Sequence, residues 1–328
     1  MQASSPDAIE RAAAILQQGG LVALPTETVY GLGARADDEK AVQKIFDAKG
    51  RPAVNPLIIH VPDLDSARNY AVFNEAALAV AQAFWPGPLT LVLPLRPDAV
   101  IAPQVTAGLQ TIAIRVPAHK TARALLEKVD FPIAAPSANK SGTISPTRAI
   151  HVAQSLGDKV DMILADKDVN VGLESTIIDL SSGTPTILRE GGVSDNELAM
   201  YLSKVTLSTR PNGAPKSPGQ MFRHYAPALP LRLRAVDVGE DEALLAFGST
   251  RFMSIKGGGP VSGLPESAIR NLSETGDLNE AAANLYAMLH DLDHSGKSGI
   301  AVMDIPDMGI GKAINDRLQR AAEKGGPE

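Results

Sequence analysis

Cysteine is absent from the 328-residue sequence. This absence excludes disulfide bonds, thiolate nucleophiles and thiolate metal ligands, and it fits a reducing compartment. Any metal ion would have to be held by oxygen or imidazole ligands, so zinc chemistry is not expected.

Long apolar runs and targeting features are also lacking. The most apolar stretches, residues 76–85 and 89–95, are much shorter than the roughly 20 residues that cross a bilayer. No Lys or Arg precedes Arg11 and no apolar segment opens the chain, so we expect neither a secretory signal nor a transit peptide. These features predict a cytoplasmic protein that does not contact a membrane.

The sequence also lacks an excess of basic over acidic residues. The chain has 31 basic and 37 acidic residues and a net charge of −6, whereas a dedicated nucleic-acid-binding protein usually carries a positive field. Local basic patches are still compatible with this balance. With 44% apolar residues the chain is long enough for two domains, each with its own core.

The best-known phosphate-binding loops are absent. The sequence has no G-x-x-x-x-G-K-[ST] motif and no G-x-G-x-x-G after a predicted strand. The fragment at residues 309–312 is not a P-loop because residue 306 is Pro. A G-x-S-x-G nucleophile elbow is also missing, so we expect noncovalent catalysis.

Apolar runs alternate with helical periodicity, which predicts an α/β fold. We expect a twisted sheet of mixed strand direction, because several connections are too short for a helical crossover. Ser5 and Asp38 are predicted helix N-caps. Strands are predicted at residues 21–24, 57–61, 90–95, 111–116, 132–135, 161–165, 175–180 and 185–189, and later helices at 74–84, 118–129, 147–156 and 195–202.

Three regions are predicted along the chain. A catalytic domain over residues 1–205 precedes an extended linker over 206–230, and a second, smaller α/β domain covers 231–328. Residues 201–236 contain six basic and five Pro residues and no acid, so this stretch is either attractive to phosphate or a plain solvated tether. In the small domain we expect strands at 231–238, 243–247 and 299–304 and helices at 278–292 and 310–323.

Polar residues around the first strands predict a ligand pocket. Thr26, Thr28 and Tyr30 follow a short apolar run, and Lys49 and Arg51 end the next helix. Hydroxyl and cationic donors on one rim are typical of a site for an anionic ligand.

Arginines and hydroxyl-rich loops occur at the ends of other elements. Arg51, Arg115 and Arg189 can each hold a phosphate or carboxylate, but an Arg at a strand end is also compatible with a surface cation or a structural ion pair. The loop at 136–142 and the helix predicted to begin near Pro146 offer hydroxyls and amides to a phosphate, although such loops are also ordinary turns. His60 alone is equally compatible with a satisfied surface histidine.

Taken together, six ordered motifs and the linker resemble the YrdC/Sua5 family, of the longer Sua5 type. The motifs are Pro25-Thr-Glu-Thr-Val-Tyr-Gly-Leu-Gly33, Lys49-Gly-Arg-Pro52, Asn55-Pro-Leu57, Trp85-Pro-Gly-Pro-Leu-Thr90, Pro136-Ser-Ala-Asn139, Glu174-Ser-Thr176 and, in the linker, Ser217 to Pro227. The resemblance implies a YrdC-like domain followed by a small Rossmann-like one. It also implies synthesis of threonylcarbamoyl-adenylate and pyrophosphate from L-threonine, bicarbonate and ATP, the first step of t6A37 modification in tRNA.

The resemblance also implies roles for individual residues. L-Threonine is expected at Thr28, His60, Arg115 and Ser175. ATP is expected at Lys49, Arg51, Asn55, Thr111, Ser137, Ser145, Arg189 and Tyr225. Lys49 and Arg51, helped by Mg²⁺, are expected to stabilise the charge of phosphoryl transfer, and Tyr225 implies that the linker folds over the nucleotide as a lid.

Two other classes of function are considered. One is a noncatalytic RNA-binding or translation-associated protein, which the overall acidity disfavours. The other is an O-carbamoyltransferase subunit like the related domain of hydrogenase maturation factors, which is expected within a larger chain that has zinc-finger cysteines. The expected partners of the synthase are a downstream tRNA threonylcarbamoyl transferase complex and, weakly, RNA.

Overall fold

The computed structural model describes residues 1–167, 169–207, 217–218 and 224–323. The chain forms two units. The first comprises Met1–Ser141, Pro146–Asn170 and Glu174–Met221, and the second comprises Gly142–Ser145, Val171–Leu173 and Phe222–Glu328. Two short stretches within the predicted catalytic domain 1–205, at 142–145 and 171–173, thus belong to the second unit. Within the predicted linker 206–230, residues 208–216 and 219–223 lie outside the described residues.

The described part of the first unit contains a sheet of eleven strands. Their order is β1-β8-β2-β3-β7-β4-β6-β5-β9-β10-β11. The strands are β1 (Gln2–Ala3), β2 (Val22–Leu24), β3 (Gly31–Arg35), β4 (Ile58–His60), β5 (Leu89–Pro94), β6 (Thr111–Arg115), β7 (Ile133–Ala134), β8 (Met162–Ala165), β9 (Thr176–Asp179), β10 (Thr186–Arg189) and β11 (Thr206–Leu207). Five neighbouring pairs are parallel and five are antiparallel. The predicted mixed-direction sheet is confirmed.

Helices cover both faces of this sheet. They are α1 (Pro6–Gln17), α2 (Glu39–Lys49), α3 (Leu64–Ala67), α4 (Glu75–Phe84), α5 (Pro103–Thr106), α6 (Lys120–Leu126), α7 (Ala149–Leu156) and α8 (Asp195–Ala199). Successive residues of β2 join different apolar clusters, since Ala23 belongs to a cluster that includes residues of α2 and α4, whereas Val22 belongs to one that includes residues of α1 and α6. Side chains alternate along a strand, so these clusters lie on opposite faces. Ser5 and Asp38 accept hydrogen bonds from amides of α1 and α2, as N-caps do.

Some elements differ from the sequence prediction. β3 was not predicted, because two glycines conceal its pattern. Helix α7 was predicted from residue 147 but begins at Ala149, since Arg148 has an extended backbone (φ −134°, ψ 149°) and the Thr147 amide donates to Nδ1 of His151.

The second unit contains a smaller parallel sheet with the described strand order β12-β15-β13-β14. Its elements are β12 (Leu231–Arg232), β13 (Glu242–Ala246), β14 (Ile269–Asn271), α9 (Leu278–Asp293), β15 (Gly299–Val302) and α10 (Ile310–Ala322). This arrangement confirms the predicted Rossmann-like α/β domain. The strand predicted over 231–238 ends at Arg232, because Arg234 takes a left-handed conformation with φ 53°.

A cavity of about 290 Å³ lies at the carboxyl ends of β12 and β15. It is lined by Leu233, Arg234, Val302, Met303, Asp304, Ile305, Pro306, Asp307, Asn315, Leu318 and Gln319. None of the residues predicted to bind threonine or ATP lines this cavity. Within the described ranges, none of the helices is both long and apolar enough to cross a membrane.

Candidate active site

The loop between β2 and β3 forms the first wall of the candidate site. The two strands pair antiparallel, with Leu24 opposite Gly31, so the chain reverses within residues 25–30. Thr26 Oγ1 donates to the carbonyl oxygen of Val29 at 2.6 Å and lies 2.8 Å from Oγ1 of Thr28. These contacts fix the loop and bury its side chains.

Arg115, at the end of β6, joins this loop to the centre of the sheet. Its Nη2 lies 2.6 Å from Oε1 of Glu27. Its Nη1 donates to Oγ1 of Thr28 at 3.0 Å, and its Nε donates to the carbonyl oxygen of Gly87 at 3.1 Å. A guanidinium has five N–H groups, so three contacts orient Arg115 and leave it capacity to bind a carboxylate.

Glu27 is the acidic partner of Arg115, a role that was not predicted from the sequence. Burial alone raises the pKa of the Glu27 carboxyl, but the charge and hydrogen bond of Arg115 outweigh burial and lower that pKa below its ordinary value. Glu27 is therefore ionised at neutral pH. The sequence marks Glu27 only as an acidic residue between two threonines. The burial of all three side chains is seen in the structure.

His60 lies beside Arg115, because β4 and β6 are parallel and these two residues are register partners. The ring is buried, with 4% of the residue exposed, which rules out the surface alternative. Within the described part of the chain, its buried Nδ1 has no hydrogen-bond partner. A polar group of a ligand could satisfy this atom.

Burial and the positive charge of Arg115 lower the pKa of His60 to about 3. The unfolded chain binds a proton at this residue below about pH 6.5, whereas the folded protein does not, so stability falls as the pH drops from about 6.5 to about 3. We expect His60 to contribute about 2 kcal/mol to the loss of stability between pH 6.5 and about pH 5. Urea unfolding of wild type and His60→Asn at the two pH values measures it.

His294 supplies the control for this experiment, because it is exposed and lies in the second unit. The variant His294→Asn should keep the wild-type pH dependence. Equal pH dependence in wild type and His60→Asn would contradict a buried, neutral His60.

Ser175 and Arg189 form a second cluster in the first unit. Nε and Nη2 of Arg189 donate to the carbonyl oxygen of Ser175 at 3.1 and 2.9 Å, and Nη2 also lies 3.1 Å from its Oγ. The Ser175 hydroxyl is 2.7 Å from Oγ1 of Thr90, a residue that the sequence analysis did not assign. A predicted threonine contact and a predicted ATP contact are therefore bonded to each other.

The segment between α4 and β5 connects the two clusters. Gly87 accepts from Arg115 and its amide donates to Val116, while the carbonyl oxygen of Pro88 accepts from the amide of Thr176, next to Ser175. This segment belongs to the Trp85–Thr90 motif. Its backbone thus contacts Arg115 and the neighbour of Ser175, two of the four predicted threonine contacts.

Gly191 is a close backbone contact of Ser175. A Cβ at Gly191 would lie 2.5 Å from the carbonyl carbon of Ser175 and closer still to the carbonyl oxygen of Glu174. We expect Gly191→Ala to destabilise the protein by about 1–3 kcal/mol and to lower turnover at least about tenfold, because the Ser175 backbone must move. In contrast, a Cβ at Gly183 meets no atom within 4 Å, so Gly183→Ala is the control. Wild-type melting and turnover in Gly191→Ala would refute the expectation.

Lys49 and the loop after β7 form a third cluster. Helix α2 ends at Lys49 because Gly50 is left-handed, with φ 62°. The buried Nζ of Lys49 donates to the carbonyl oxygens of Ser137 and Asn139, both at 2.6 Å, and the amide of Ser141 donates back to the Lys49 carbonyl. Lys49 therefore holds the hydroxyl-rich loop.

Arg51 lies two residues after Lys49 and is the second cation of this cluster. Its Nε and Nη2 donate to the carbonyl oxygens of Asn55 and Pro56 at 3.2 and 2.8 Å, so it fixes the turn before β4. Burial, together with the charge of Arg51, lowers the pKa of Lys49 well below its ordinary value. Two cations that repel each other in a buried setting favour a bound anion.

Three of the residues predicted to bind ATP, namely Thr111, Ser145 and Tyr225, lie outside these three clusters. Thr111 is at the opposite end of β6 from Arg115, about 13 Å along the strand. Ser145 and Tyr225 both belong to the second unit. The structure thus brings together Thr28, His60 and Arg115. It also pairs Ser175 with Arg189 and Lys49 with Ser137. Asn55 contacts Arg51 through its backbone carbonyl.

Two family models match the chain. Residues 14–191 match the Sua5/YciO/YrdC model, described as telomere recombination, and residues 193–323 match a model described as threonylcarbamoyl-AMP synthase, C-terminal domain. Threonylcarbamoyl-AMP synthase of Bacillus subtilis is 38% identical, with 96% of this chain and 92% of the relative covered. That of Pyrococcus abyssi is 40% identical, with 96% and 94% covered.

A solved structure also matches both units. The crystal structure of P. abyssi Sua5 complexed with L-threonine superposes with a TM-score of 0.84 and 36% identity, and covers 96% of this chain and 94% of that one.

Proposed function

The chain belongs to the Sua5/YrdC family of threonylcarbamoyl-AMP synthases, and we propose that it condenses L-threonine, bicarbonate and ATP to threonylcarbamoyl-adenylate and pyrophosphate. The observation that carries the proposal at the level of residues is the direct contact between Ser175 and Arg189. One was predicted to bind threonine and the other ATP, so the two substrates would adjoin at this point.

Threonine would bind at the Arg115 cluster. The guanidinium of Arg115 would pair with the carboxylate, and Thr28 and Ser175 would offer hydroxyls. The neutral ring of His60 adds no further charge. Burial beside a guanidinium lowers the pKa of the threonine amine, which favours the neutral nucleophilic form.

The reaction would then proceed in two steps. Bicarbonate loses hydroxide to give CO2, and the neutral amine adds to the carbon of CO2, forming a C–N bond as one C–O π bond breaks. The proton that the nitrogen loses combines with the hydroxide to give water, which leaves a carbamate. A carbamate oxygen attacks the α-phosphorus of ATP and pyrophosphate leaves with the electrons of the broken P–O bond. Protein groups act by positioning and charge stabilisation, so no covalent enzyme intermediate is needed.

The nucleotide phosphates would bind near Lys49, Arg51 and Arg189. The repulsion between buried Lys49 and Arg51 supports this assignment, because a phosphate between them removes it. Asn55 and Ser137 lie on the turn and loop that these two cations hold. We further propose that the linker closes over the nucleotide through Tyr225.

Mg²⁺ is proposed as a component of the ATP substrate. Among the described residues, no group of three or more His, Asp or Glu side chains is arranged to hold a metal ion, so these residues do not fit a resident metal site. Mg²⁺ commonly binds through substrate phosphates and neutralises their charge. The product would pass to a tRNA threonylcarbamoyl transferase, and we propose that the reaction occurs in the cytoplasm, where ATP and tRNA meet.

Pyrophosphate release tests the proposal. The purified protein with ATP and Mg²⁺ should release pyrophosphate only when both L-threonine and bicarbonate are present. Titration with tRNA tests the noncatalytic alternative: tight, salt-sensitive binding of tRNA without ATP consumption would favour an RNA-binding protein over the synthase.

A further inference from the structure

The C-terminal helix α10 carries a charged residue on its buried face. Ile314, Arg317, Leu318 and Ala321 repeat at helical spacing and are all buried. Arg317 is 1% exposed, at a position where this pattern favours an apolar side chain. Burying a cation costs free energy unless neighbouring groups stabilise its charge. The groups that contact Arg317 therefore indicate what this side chain does.

Arg317 contacts the linker residue Tyr225. Its guanidinium carbon lies 5.3 Å from the centroid of the Tyr225 ring, within the range of a cation–π interaction. Its Nη1 also donates to Oδ2 of Asp316 at 2.9 Å. The neighbouring Arg320 contacts the same Asp316, through Nε at 2.9 Å.

Tyr225 has an unusual backbone and a closely packed ring. Its φ is 66°, a left-handed conformation that a bulky residue rarely adopts unless its surroundings impose it. The ring is stacked on Tyr286 of α9, with centroids 5.8 Å apart and planes at 29°. Arg317 and Tyr286 together hold this ring.

The same face of α9 holds the other predicted ATP contact of the second unit. His290 follows Tyr286 by one helical turn, and its Nε2 lies 3.2 Å from the carbonyl oxygen of Ser145. The two segments are also joined to each other, because the amide of Ala226 donates to the carbonyl oxygen of Gly142 at 2.9 Å. Ser145 and Tyr225 are thus fixed by one support within the second unit.

From these contacts we propose that Arg317 is a positioning residue for Tyr225, whose ring it holds against α9 of the second unit for contact with ATP. The inference rests on the proposed function, because it assumes that Tyr225 contacts ATP. The proposed role of Arg317 concerns the affinity for the nucleotide and not the affinity for threonine.

ATP affinity in the full-length protein tests this inference. Arg317→Met keeps an unbranched apolar side chain and removes the charge, and it should weaken binding of the nonhydrolysable analogue α,β-methylene-ATP about tenfold by calorimetry. The KM for ATP should rise by a similar factor, whereas the KM for L-threonine should change less than about twofold. Arg317→Lys, which keeps a cation, should recover part of the affinity.

Matched variants separate positioning from general stability. Arg320→Met removes another contact of Asp316 on the same helix and should leave nucleotide affinity unchanged. In a Tyr225→Ala background, Arg317→Met should have no further effect, because the residue acts through the ring. If Arg317→Met misfolds, Tyr286→Leu compared with Tyr286→Phe makes the same test from α9, and only the former should weaken binding.

The outcomes also distinguish the inference from the proposed function. Wild-type nucleotide affinity in Arg317→Met, or additive effects of Arg317→Met and Tyr225→Ala, would overturn the inference. A wild-type protein that binds the analogue but releases no threonine-dependent pyrophosphate would overturn the proposed function alone. Failure of the wild type to bind the analogue would overturn both.

Discussion

Substitution of Arg115 by Met is expected to lower kcat/KM for L-threonine by about 1,000-fold. The substitution removes the proposed partner of the threonine carboxylate, and loss of one member of a buried, hydrogen-bonded charge pair costs about 3–5 kcal/mol. Steady-state pyrophosphate release at varied threonine measures the effect. The KM for ATP should change far less.

The same substitution should also destabilise the fold. Without Arg115, the carboxylate of Glu27 is left buried without the cation that lowers its pKa. Burial would then raise the pKa of Glu27, and we expect a loss of about 3–5 kcal/mol in the free energy of unfolding.

A double variant separates the two effects. Arg115→Met combined with Glu27→Gln removes both charges and should recover much of the stability, but not the activity with threonine. Recovery of activity in the double variant would show that Arg115 serves only to neutralise Glu27 and does not bind the substrate.

Substitution of Lys49 by Met is expected to lower kcat by about 100- to 1,000-fold. The ammonium group would no longer be available to phosphates, and the carbonyl oxygens of Ser137 and Asn139 would lose their donor. An unsatisfied buried carbonyl costs about 1–3 kcal/mol, so the midpoint of urea unfolding should also fall.

Lys44 provides the matched control for Lys49. It lies on the same helix and its Nζ donates to one carbonyl oxygen, that of Gly19, at 2.7 Å. Its side chain is exposed and lies more than one helical turn before Lys49, so Lys44→Met should keep wild-type kcat. Equal activity in the Lys49 and Lys44 variants would exclude Lys49 from the catalytic set.

The alternation of helices and strands could be predicted from the sequence, but β3 could not. Its sequence, Gly31-Leu-Gly-Ala-Arg35, contains two residues that are unfavourable in strands. Neighbouring strands leave no room for a side chain at residue 33, because a Cβ at Gly33 would lie 2.9 Å from side-chain atoms of Ile133 and Leu24. Such a requirement depends on neighbouring strands and leaves no periodic signal.

Site residues with charge or hydroxyls could be proposed from motifs, but their partners could not. Glu27 and Thr90 lay inside quoted motifs, yet their contacts with Arg115 and Ser175 depend on pairings between residues 85 or more positions apart. The contact of Arg317 with Tyr225 likewise joins residues that are distant in the sequence. Neither the spacing nor the periodicity of the sequence indicates these particular side-chain pairs.

The identity of the product tests the central claim most directly. Reactions with ¹³C-bicarbonate, ATP and L-threonine can be quenched and analysed by mass spectrometry, because threonine-dependent pyrophosphate release alone would also follow from threonyl-adenylate formation. We predict an adenylate that contains threonine and one ¹³C atom from bicarbonate, formed by wild type and nearly absent with Arg115→Met. An adenylate that contains threonine but no carbon from bicarbonate would contradict the account.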